Sequence, residues 1–497
     1  MSLHKNFLRS LALVAAGAVT AVPQAFSSPF SWLLSVIGLG CAVWLTNFDR
    51  RRSAWLHGLF FAMGYFVTTL QWLSIVGKDV VLLVSLICAL WWALAFSLSA
   101  PYRKSRWFPC VLGVFLTTAD IARDTFPWGG FGWAQYGSNV VDSPFAFMFA
   151  SVSQTGVSFL MIVLVGLCVQ GIEKMAGSGQ RDFRGAYIYV ALVVIVAGLS
   201  VVRIGGNSQL VDTVDVSFVQ GGVDHTGLGV LGDPRSVLLR HIALSQDNIE
   251  ILNETDLVVW PENASDVDPY FDAVAADGLQ NLDRNLEPPL LFGAVINRAD
   301  GRAGNVSLLL QNNLSEVYAK RRLVPFGEFM PYRDLISSLT SRAELMPRDF
   351  APGGQSGQVG VGDLQLGVVI CFEVADQMFL LEESKNVDSF VVHTNNATYA
   401  GTTQIQQQVA ASRIRAIETG KPVLVVSTSG VSGLVSPDGV MSHVINEQET
   451  GVRVVTIAHN DRTTVASYLV RPLTATLWSV GLVLVVMPFT RRFKVML

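Results

Sequence analysis

Gly367-Val368-Val369-Ile370-Cys371-Phe372-Glu373 is an apolar run that ends on a thiol and is followed almost at once by a carboxylate. With Leu366 ahead of it, the run is apolar enough to form a strand buried on both faces, as parallel strands in layered α/β domains are. Cys371 is one of five cysteines, and the others, Cys41, Cys88, Cys110 and Cys168, all fall within long apolar segments. It therefore has no evident disulfide partner. A free cysteine is more often a small buried hydrophobe than a nucleophile. Here the same region of chain also places Glu262 and Lys320 beside strand-like runs.

Outward from this run, short β-branched stretches alternate with amphipathic ones from Asp212 onward. Strands are expected over Thr213–Val219, Leu257–Trp260, Leu290–Ile296, Asn305–Leu310, Leu366–Ile370, Ser389–His393, Val423–Ser427 and Val452–Ile457. Helices are expected over 235–251, 267–280, 373–384 and 402–420, the last stopped by Gly420 and Pro422. This mixed order predicts a layered α/β domain with one large core. Ala351-Pro352-Gly353-Gly354-Gln355-Ser356-Gly357 reads as a surface turn.

The rest of the 497-residue chain is of a different kind. Hydrophobic residues make up 51% of the whole and charged residues 15%, and the mean hydropathy is +0.42, which marks a membrane protein. Apolar runs fall at 10–26, 30–47, 54–77, 79–100, 107–121, 144–171, 185–203 and 471–490. Most approach the roughly 20 residues that a helix needs to cross a bilayer core. The first is shortened by Pro23 and preceded by Lys5 and Arg9, a pattern shared with signal peptides; we read it as a retained span.

Lys5 and Arg9; Arg50, Arg51 and Arg52; Arg103, Lys104 and Arg106; Lys174, Arg181 and Arg184; and Arg491, Arg492 and Lys494 occupy every second connection, with Lys78 and Arg123 as exceptions. The positive-inside rule then gives eight spans with both termini cytoplasmic and the long α/β segment outside. The expected organisation is a transmembrane domain over 1–203, an extracytoplasmic domain over 204–470, and an eighth span with a cytoplasmic tail over 471–497. A net charge of −4 gives no sign of nucleic-acid binding.

Three places carry chemistry. Leu257-Val258-Val259-Trp260 leads into Pro261-Glu262-Asn263, where partial desolvation suits a carboxylate to proton transfer. Tyr318-Ala319-Lys320-Arg321-Arg322-Leu323-Val324-Pro325-Phe326-Gly327-Glu328 sets cations against an apolar segment, although a charge run is more often a solvated face. Cys371 is the third. A carboxylate, an ammonium and a thiol at strand ends make an acyl-transfer site possible. There is no His/Cys cluster with metal-ligand spacing and no phosphate-cradling glycine loop, so neither a metal nor a nucleotide cofactor is expected.

Trp260-Pro261-Glu262, Tyr318-Ala319-Lys320 with Leu323-Val324-Pro325-Phe326-Gly327-Glu328, and Ile370-Cys371-Phe372-Glu373 resemble the three catalytic blocks of the nitrilase superfamily. Combined with Pro-Phe-Gly-Glu, the spans and the Phe126-Pro127-Trp128-Gly129 loop, they resemble the apolipoprotein N-acyltransferase family along nearly the whole chain. The resemblance implies an αββα sandwich domain on a polytopic helical one, in a bacterial inner membrane. It implies Glu262 as base, Lys320 as oxyanion partner and Cys371 as nucleophile. An acyl chain would pass from a glycerophospholipid through a Cys371 thioester to the α-amino group of a diacylglyceryl apolipoprotein. Glu328 would hold Lys320 or a substrate ammonium, Glu373 would orient the loop, and Asn305 matches a family site position.

The chain departs from the family at Phe372, where tyrosine is usual, and at His393-Thr394-Asn395-Asn396-Ala397-Thr398-Tyr399, which is closer to actinobacterial members. An aromatic expected after Val219-Gln220-Gly221 is also missing. Trp128, Phe131 and Trp133 read as an interfacial aromatic belt, and His225 and His393 as ordinary surface or core histidines. Asn-x-Ser/Thr matches occur at Asn253, Asn263, Asn305, Asn313 and Asn396. A glycan at Asn263 would obstruct Glu262, which favours a compartment without N-glycosylation. Two other functions fit the same features: a membrane-tethered amidase, and a transporter or scaffold with a degenerate nitrilase-like domain.

Overall fold

The structure is a computed structural model that describes residues 2–178, 184–204, 212–225, 227, 233–339 and 346–489. Arg181, Arg491, Arg492 and Lys494, used above for topology, lie outside the described residues. The chain divides into two compact units, Met1–Arg203 with Thr464–Leu497, and Ile204–Thr463.

In the first unit the apolar runs are helices: Ser2–Ala25, Ser31–Leu45, Arg51–Thr69, Lys78–Ser99, Phe108–Arg123, Phe149–Ser178, Arg184–Ser200 and Ala466–Val486. Among the described residues four are long and apolar enough to cross a membrane: His4–Ala25, Lys78–Tyr102, Ala146–Ala176 and Ala466–Val486. Pro23 lies within the last turn of the first helix rather than ending it. The final helix starts at Ala466, ahead of its apolar run, and takes in Pro472. The first and third helices pack backbone to backbone: a Cβ on Gly17 would lie 2.0 Å from the Phe61 carbonyl oxygen, and one on Gly64 would lie 2.0 Å from that of Val14. Such small-residue contacts are how apolar helices gain packing energy in lipid.

The fifth helix ends on a buried ion pair, Asp120 with Arg123 at 3.3 Å. The Asp120 carboxylate also accepts from Trp92 Nε1 at 2.8 Å and from the Tyr136 N–H at 3.1 Å. Arg123 donates to the carbonyls of Phe131 and Trp133. The pair thus clamps the connection that carries Phe126 and Trp128, both exposed. Trp133 is buried against Trp72 at a 5.7 Å centroid distance. The clamp draws its backbone inward, so it is a packing residue rather than part of an interfacial belt.

The second unit contains β1 Thr213–Gln220, β2 Leu257–Val259, β3 Leu290–Asn297, β4 Ala303–Gln311, β5 Asn313–Ala319, β6 Gly357–Val361, β7 Leu364–Ile370, β8 Ser389–Thr394, β9 Val423–Ser427, β10 Ser432–Val435, β11 Met441–Ile445 and β12 Gly451–Ala458. They form two six-stranded sheets, ordered β12-β1-β2-β3-β4-β5 and β11-β10-β9-β8-β7-β6. Each has three parallel strands at its centre, β1 to β3 and β7 to β9, with antiparallel strands outside. Alternation sorts the side chains. Val214, Val216, Phe218, Leu257 and Val259 face Leu364, Leu366, Val368 and Ile370 between the sheets. Val258, Trp260 and Phe292 face the helices Ser236–Asp247 and Ala273–Asp283 on the outside. The helix Thr403–Thr419 lies against the other sheet through Ala416. The layers are helix, sheet, sheet, helix.

The apolar strands are where the sequence puts them. β5, β6, β10 and β11 are additions, and all four lie in the antiparallel flanks. In β5 only Tyr318 is buried and polar residues interrupt the apolar ones, so no buried pattern marks it. The helix expected over 235–251 breaks at Asn248 into Ser236–Asp247 and Ile249–Asn253. The one expected over 267–280 begins only at Ala273, where Asp272 accepts the Ala275 N–H at 2.9 Å.

His241 joins this helical layer to β1. Its Nδ1 lies 2.8 Å from the Val237 carbonyl oxygen, and its Nε2 accepts the Gly221 N–H at 3.1 Å, so the neutral ring uses both nitrogens. Burial lowers its pKa from 6.5 to about 4, and burial lowers His393 to about 4 as well. The unfolded chain takes up protons below pH 6.5 that the folded one refuses. The stability carried by each ring is therefore complete above pH 6.5 and falls with pH, by about 3 kcal/mol near pH 4. Melting of the detergent-solubilised protein should drop steeply between pH 6.5 and 4.5. His241→Gln, although less stable at pH 7, should show a shallower decline; an unchanged slope refutes the assignment.

Candidate active site

Glu262 follows β2 and Cys371 follows β7, so each lies at the carboxyl end of a central parallel strand, the edge where α/β sheets hold their ligands. Lys320 follows β5, and its N–H is tied to the Asn305 carbonyl of β4 at 2.9 Å. The sheet sandwich brings them together. The Glu262 carboxylate accepts the Asn395 N–H, from the end of β8 in the opposite sheet, at 2.7 Å. The Glu262 carbonyl accepts from Thr428 Oγ1 at 3.1 Å. His393 Nδ1 lies 2.8 Å from the Trp260 carbonyl oxygen and bridges the same seam.

Lys320 is 1% exposed and Glu262 4%, so their charges need partners inside the protein. Lys320 Nζ lies 2.7 Å from Glu328 Oε1 and 3.7 Å from Glu262 Oε1. Asn305 Nδ2 donates to both carboxylates, at 2.7 Å to Glu262 and 3.1 Å to Glu328. Glu328 Oε2 accepts the Val324 N–H at 2.8 Å. The neighbouring arginines turn away: Arg321 pairs with Glu383 at 2.8 Å and Arg322 with Asp376 at 3.0 Å. The charge run therefore splits into one inward ammonium and two outward guanidiniums.

Burial, reinforced by the charge of Glu328, raises the Glu262 carboxyl above its usual 4.5, against the pull of Lys320. Burial disfavours the Lys320 ammonium, but Glu328 and Glu262 outweigh it and hold the amine protonated. Cys371 is pushed up to about 12 by burial and by Glu262, with Lys320 and a hydrogen bond from Thr394 acting in the opposite sense. The resting group is thus a thiol beside a base with raised proton affinity. This pairing suits proton transfer during attack better than a preformed thiolate.

Cys371 has φ 52 at the junction of β7 with the short helical turn Cys371–Ala375. Asn263 and Phe326, beside the other two blocks, have φ 53 and 65. Left-handed backbone at three non-glycine positions around one site is strain that the surrounding structure must hold. Glu373 does much of this for the thiol. One of its oxygens accepts from Tyr318 OH at 2.7 Å and from the Arg321 and Arg322 N–H groups at 2.8 and 2.9 Å. The other accepts the Ile370 N–H at 2.9 Å. Glu373 thus ties the turn that bears Cys371 to the strand end that bears Lys320, and Phe372 sits part-buried in the same turn.

Thr394, Gln408 and Tyr399 also face this cluster. Gln408 Nε2 reaches to 3.7 Å from Cys371 Sγ and 2.8 Å from Thr394 Oγ1. Tyr399 is raised to about 12 by burial and by the charges of Cys371, Glu328 and Glu262, against that of Lys320. Sequence reasoning named none of the three as a site residue. The available signal was Gln404, Gln407 and Gln408, polar side chains at helical spacing that all turn out buried.

Two family models cover most of the chain: an apolipoprotein N-acyltransferase N-terminal domain matches residues 16–167 and a carbon-nitrogen hydrolase domain matches 216–467. An apolipoprotein N-acyltransferase of Mycolicibacterium smegmatis is 30% identical over 53% of this chain and 46% of its own length. This chain therefore matches less than half of that relative. One from Photobacterium profundum is 25% identical over 90% of this chain and 89% of its own. A solved CN-hydrolase superfamily protein from Xanthomonas campestris is 17% identical over 54% of this chain and 97% of its own, with a TM-score of 0.38. The chain belongs to the carbon-nitrogen hydrolase, or nitrilase, superfamily and, within it, to the apolipoprotein N-acyltransferases.

Proposed function

We propose that this protein transfers an acyl chain from a glycerophospholipid to the α-amino group of a diacylglyceryl cysteine at an apolipoprotein N-terminus, with Glu262, Lys320 and Cys371 as its catalytic residues. The observation that carries this reading is the buried Glu262–Lys320–Glu328 cluster converging on the Cys371 thiol, in a chain with four helices among the described residues long and apolar enough to cross a membrane. In the first half-reaction Glu262 takes the thiol proton as sulfur attacks the ester carbonyl carbon. Lys320 and the backbone N–H after Cys371 stabilise the tetrahedral oxyanion. The ester C–O bond breaks, and Glu262 returns the proton to the departing lysophospholipid. In the second, the neutral acceptor amine attacks the thioester, Glu262 takes the amine proton, and the C–S bond breaks as Glu262 passes that proton to the sulfur, restoring thiol and carboxylate.

Glu328 fixes Lys320 and leaves its charge available at the reacting carbon, while Asn305 orients both carboxylates. The aromatic ring of Phe372 and the hydroxyl of Tyr399 shape the substrate pocket. The residue blocks 1–203 and 471–497 form eight spans, 204–470 stands on the extracytoplasmic side of a bacterial inner membrane, and both ends are cytoplasmic. The alternating loop charges support this placement. No metal or organic cofactor takes part in the steps above.

Incubating the protein with labelled phospholipid and no acceptor should give an acyl adduct on Cys371 that hydroxylamine removes. Adding diacylated lipoprotein should discharge it to the triacylated form. Intact-mass spectra with Cys371 unmodified under turnover conditions reject the transferase, and water alone as the acceptor points to the amidase-like alternative. A membrane-impermeant thiol reagent should label Cys371 in intact spheroplasts; labelling only after lysis contradicts the topology. For pH, Glu262 must be ionised to act, and its pKa is raised. The acid limb of kcat/KM should therefore lie above the ordinary carboxylate value of 4.5. Glu262→Gln should abolish adduct formation at every pH.

A further inference from the structure

Gln408 is 2% exposed and stands on the Thr403–Thr419 helix. Its amide orientation follows from a chain of hydrogen bonds that begins at a backbone donor. The Gly430 N–H donates to Ser427 Oγ at 2.8 Å, and Ser427 Oγ in turn donates to Asn396 Oδ1 at 2.9 Å. Asn396 Nδ2 must then donate outward, and it does so to Gln404 Oε1 at 2.9 Å and Gln408 Oε1 at 2.6 Å. Gln404 Nε2 also donates to Gln408 Oε1, at 3.2 Å. Reversing Gln408 would set its NH2 against two other donors. Its N–H groups are therefore committed to the opposite side, towards Thr394 Oγ1 at 2.8 Å and Cys371 Sγ at 3.7 Å. Because Thr394 Oγ1 accepts from Gln408, its own proton is available to the sulfur, and its interaction with Cys371 favours the thiolate.

The charged cluster beside the sulfur makes such donors necessary. Two carboxylates share one ammonium there, and Lys320 Nζ is engaged by Glu328 and Glu262. When Glu262 takes the thiol proton, Glu328 still offsets the Lys320 charge, so negative charge developing on sulfur meets no net cation. We propose that Gln408 is a positioning residue for Cys371: acting directly and through Thr394, it supplies the hydrogen-bond donors that orient the sulfur and stabilise its thiolate. This rests on Cys371 being the nucleophile. It adds a donor line that starts at the Gly430 N–H and reaches the thiol from the Thr403–Thr419 helix.

The test is the rate of iodoacetamide alkylation of Cys371 in the intact detergent-solubilised protein, read on the Cys371 peptide by mass spectrometry across pH 7 to 9. No lipid or acceptor is present. Losing donors to a charged sulfur should slow alkylation about tenfold at a given pH in Gln408→Leu. Thr394→Val should slow it similarly, and Thr394→Ser should leave it near the parent rate. The double variant Gln408→Leu/Thr394→Val should be slowed by less than the product of the single effects, since both act along one line. Faster alkylation in Gln408→Leu marks a loosened, more open site and overturns the proposal, as does a rate within twofold of the parent in a chain with the parent melting temperature. If Gln408→Leu does not fold, a Thr394→Val rate within twofold of Thr394→Ser overturns it. Slowed alkylation in a protein without transferase activity rejects the proposed function and leaves this role standing; normal alkylation beside working transfer does the opposite.

Discussion

The buried Lys320 ammonium is the constraint that orders this site. Removed from water, it is held by Glu328 at 2.7 Å and by Glu262 at 3.7 Å. Removing one partner from such a pair leaves an uncompensated internal charge, at a cost of about 3–5 kcal/mol. The carboxylates cannot relax separately, because Asn305 bridges them and the Asn395 N–H holds Glu262 from the opposite sheet. Closing the sandwich and building the site are therefore one event. The apolar layer between the sheets supplies the driving force. The polar seam at the carboxyl edge of the strands sets the register at which closure satisfies every charge.

Around that seam the backbone is held where it would not rest by itself. Cys371, Asn263 and Phe326 all take positive φ, and each is next to a hydrogen-bonded anchor. Glu373 collects four donors around the turn of Cys371. The Glu328 carboxylate accepts the Val324 N–H of the Pro-Phe-Gly-Glu loop. The Glu262 carbonyl is fixed by Thr428 just before Asn263. The strain is offset by buried charge-assisted hydrogen bonds, roughly twice as strong as neutral ones. The helical unit uses the same device, with Asp120 and Arg123 holding an irregular loop by its carbonyl and amide groups.

Much of this was legible in advance, for identifiable reasons. Strands buried on both faces are long apolar runs, so β1, β3, β7, β8 and β9 stand out. The flanking strands β5, β6, β10 and β11 do not, because an edge strand gains its ladder from a neighbour rather than from its own pattern. Glu262 and Cys371 were legible because each follows an apolar run, and Lys320 because Tyr318-Ala319-Lys320 with Pro-Phe-Gly-Glu resembles a family block. Gln408 was not. A glutamine in a helix reads as surface until the fold turns its face inward, and nothing local to residue 408 says that Cys371 will lie across from it.

The sequence by itself determined the two textures of the chain, the helical apolar runs, the central parallel strands and the types of residue at their ends. These are local properties, set by hydropathy and by the periodicity of one element. The tertiary structure alone decided which of three consecutive cations turns inward, which carboxylates it meets, how the Cys371 backbone is bent and where the Gln408 amide points. Each of those is a relation between elements far apart in the chain: strand ends of one sheet, the two sheets, or a sheet and its helix. It exists only once the fold is closed and desolvation makes the buried charges pair.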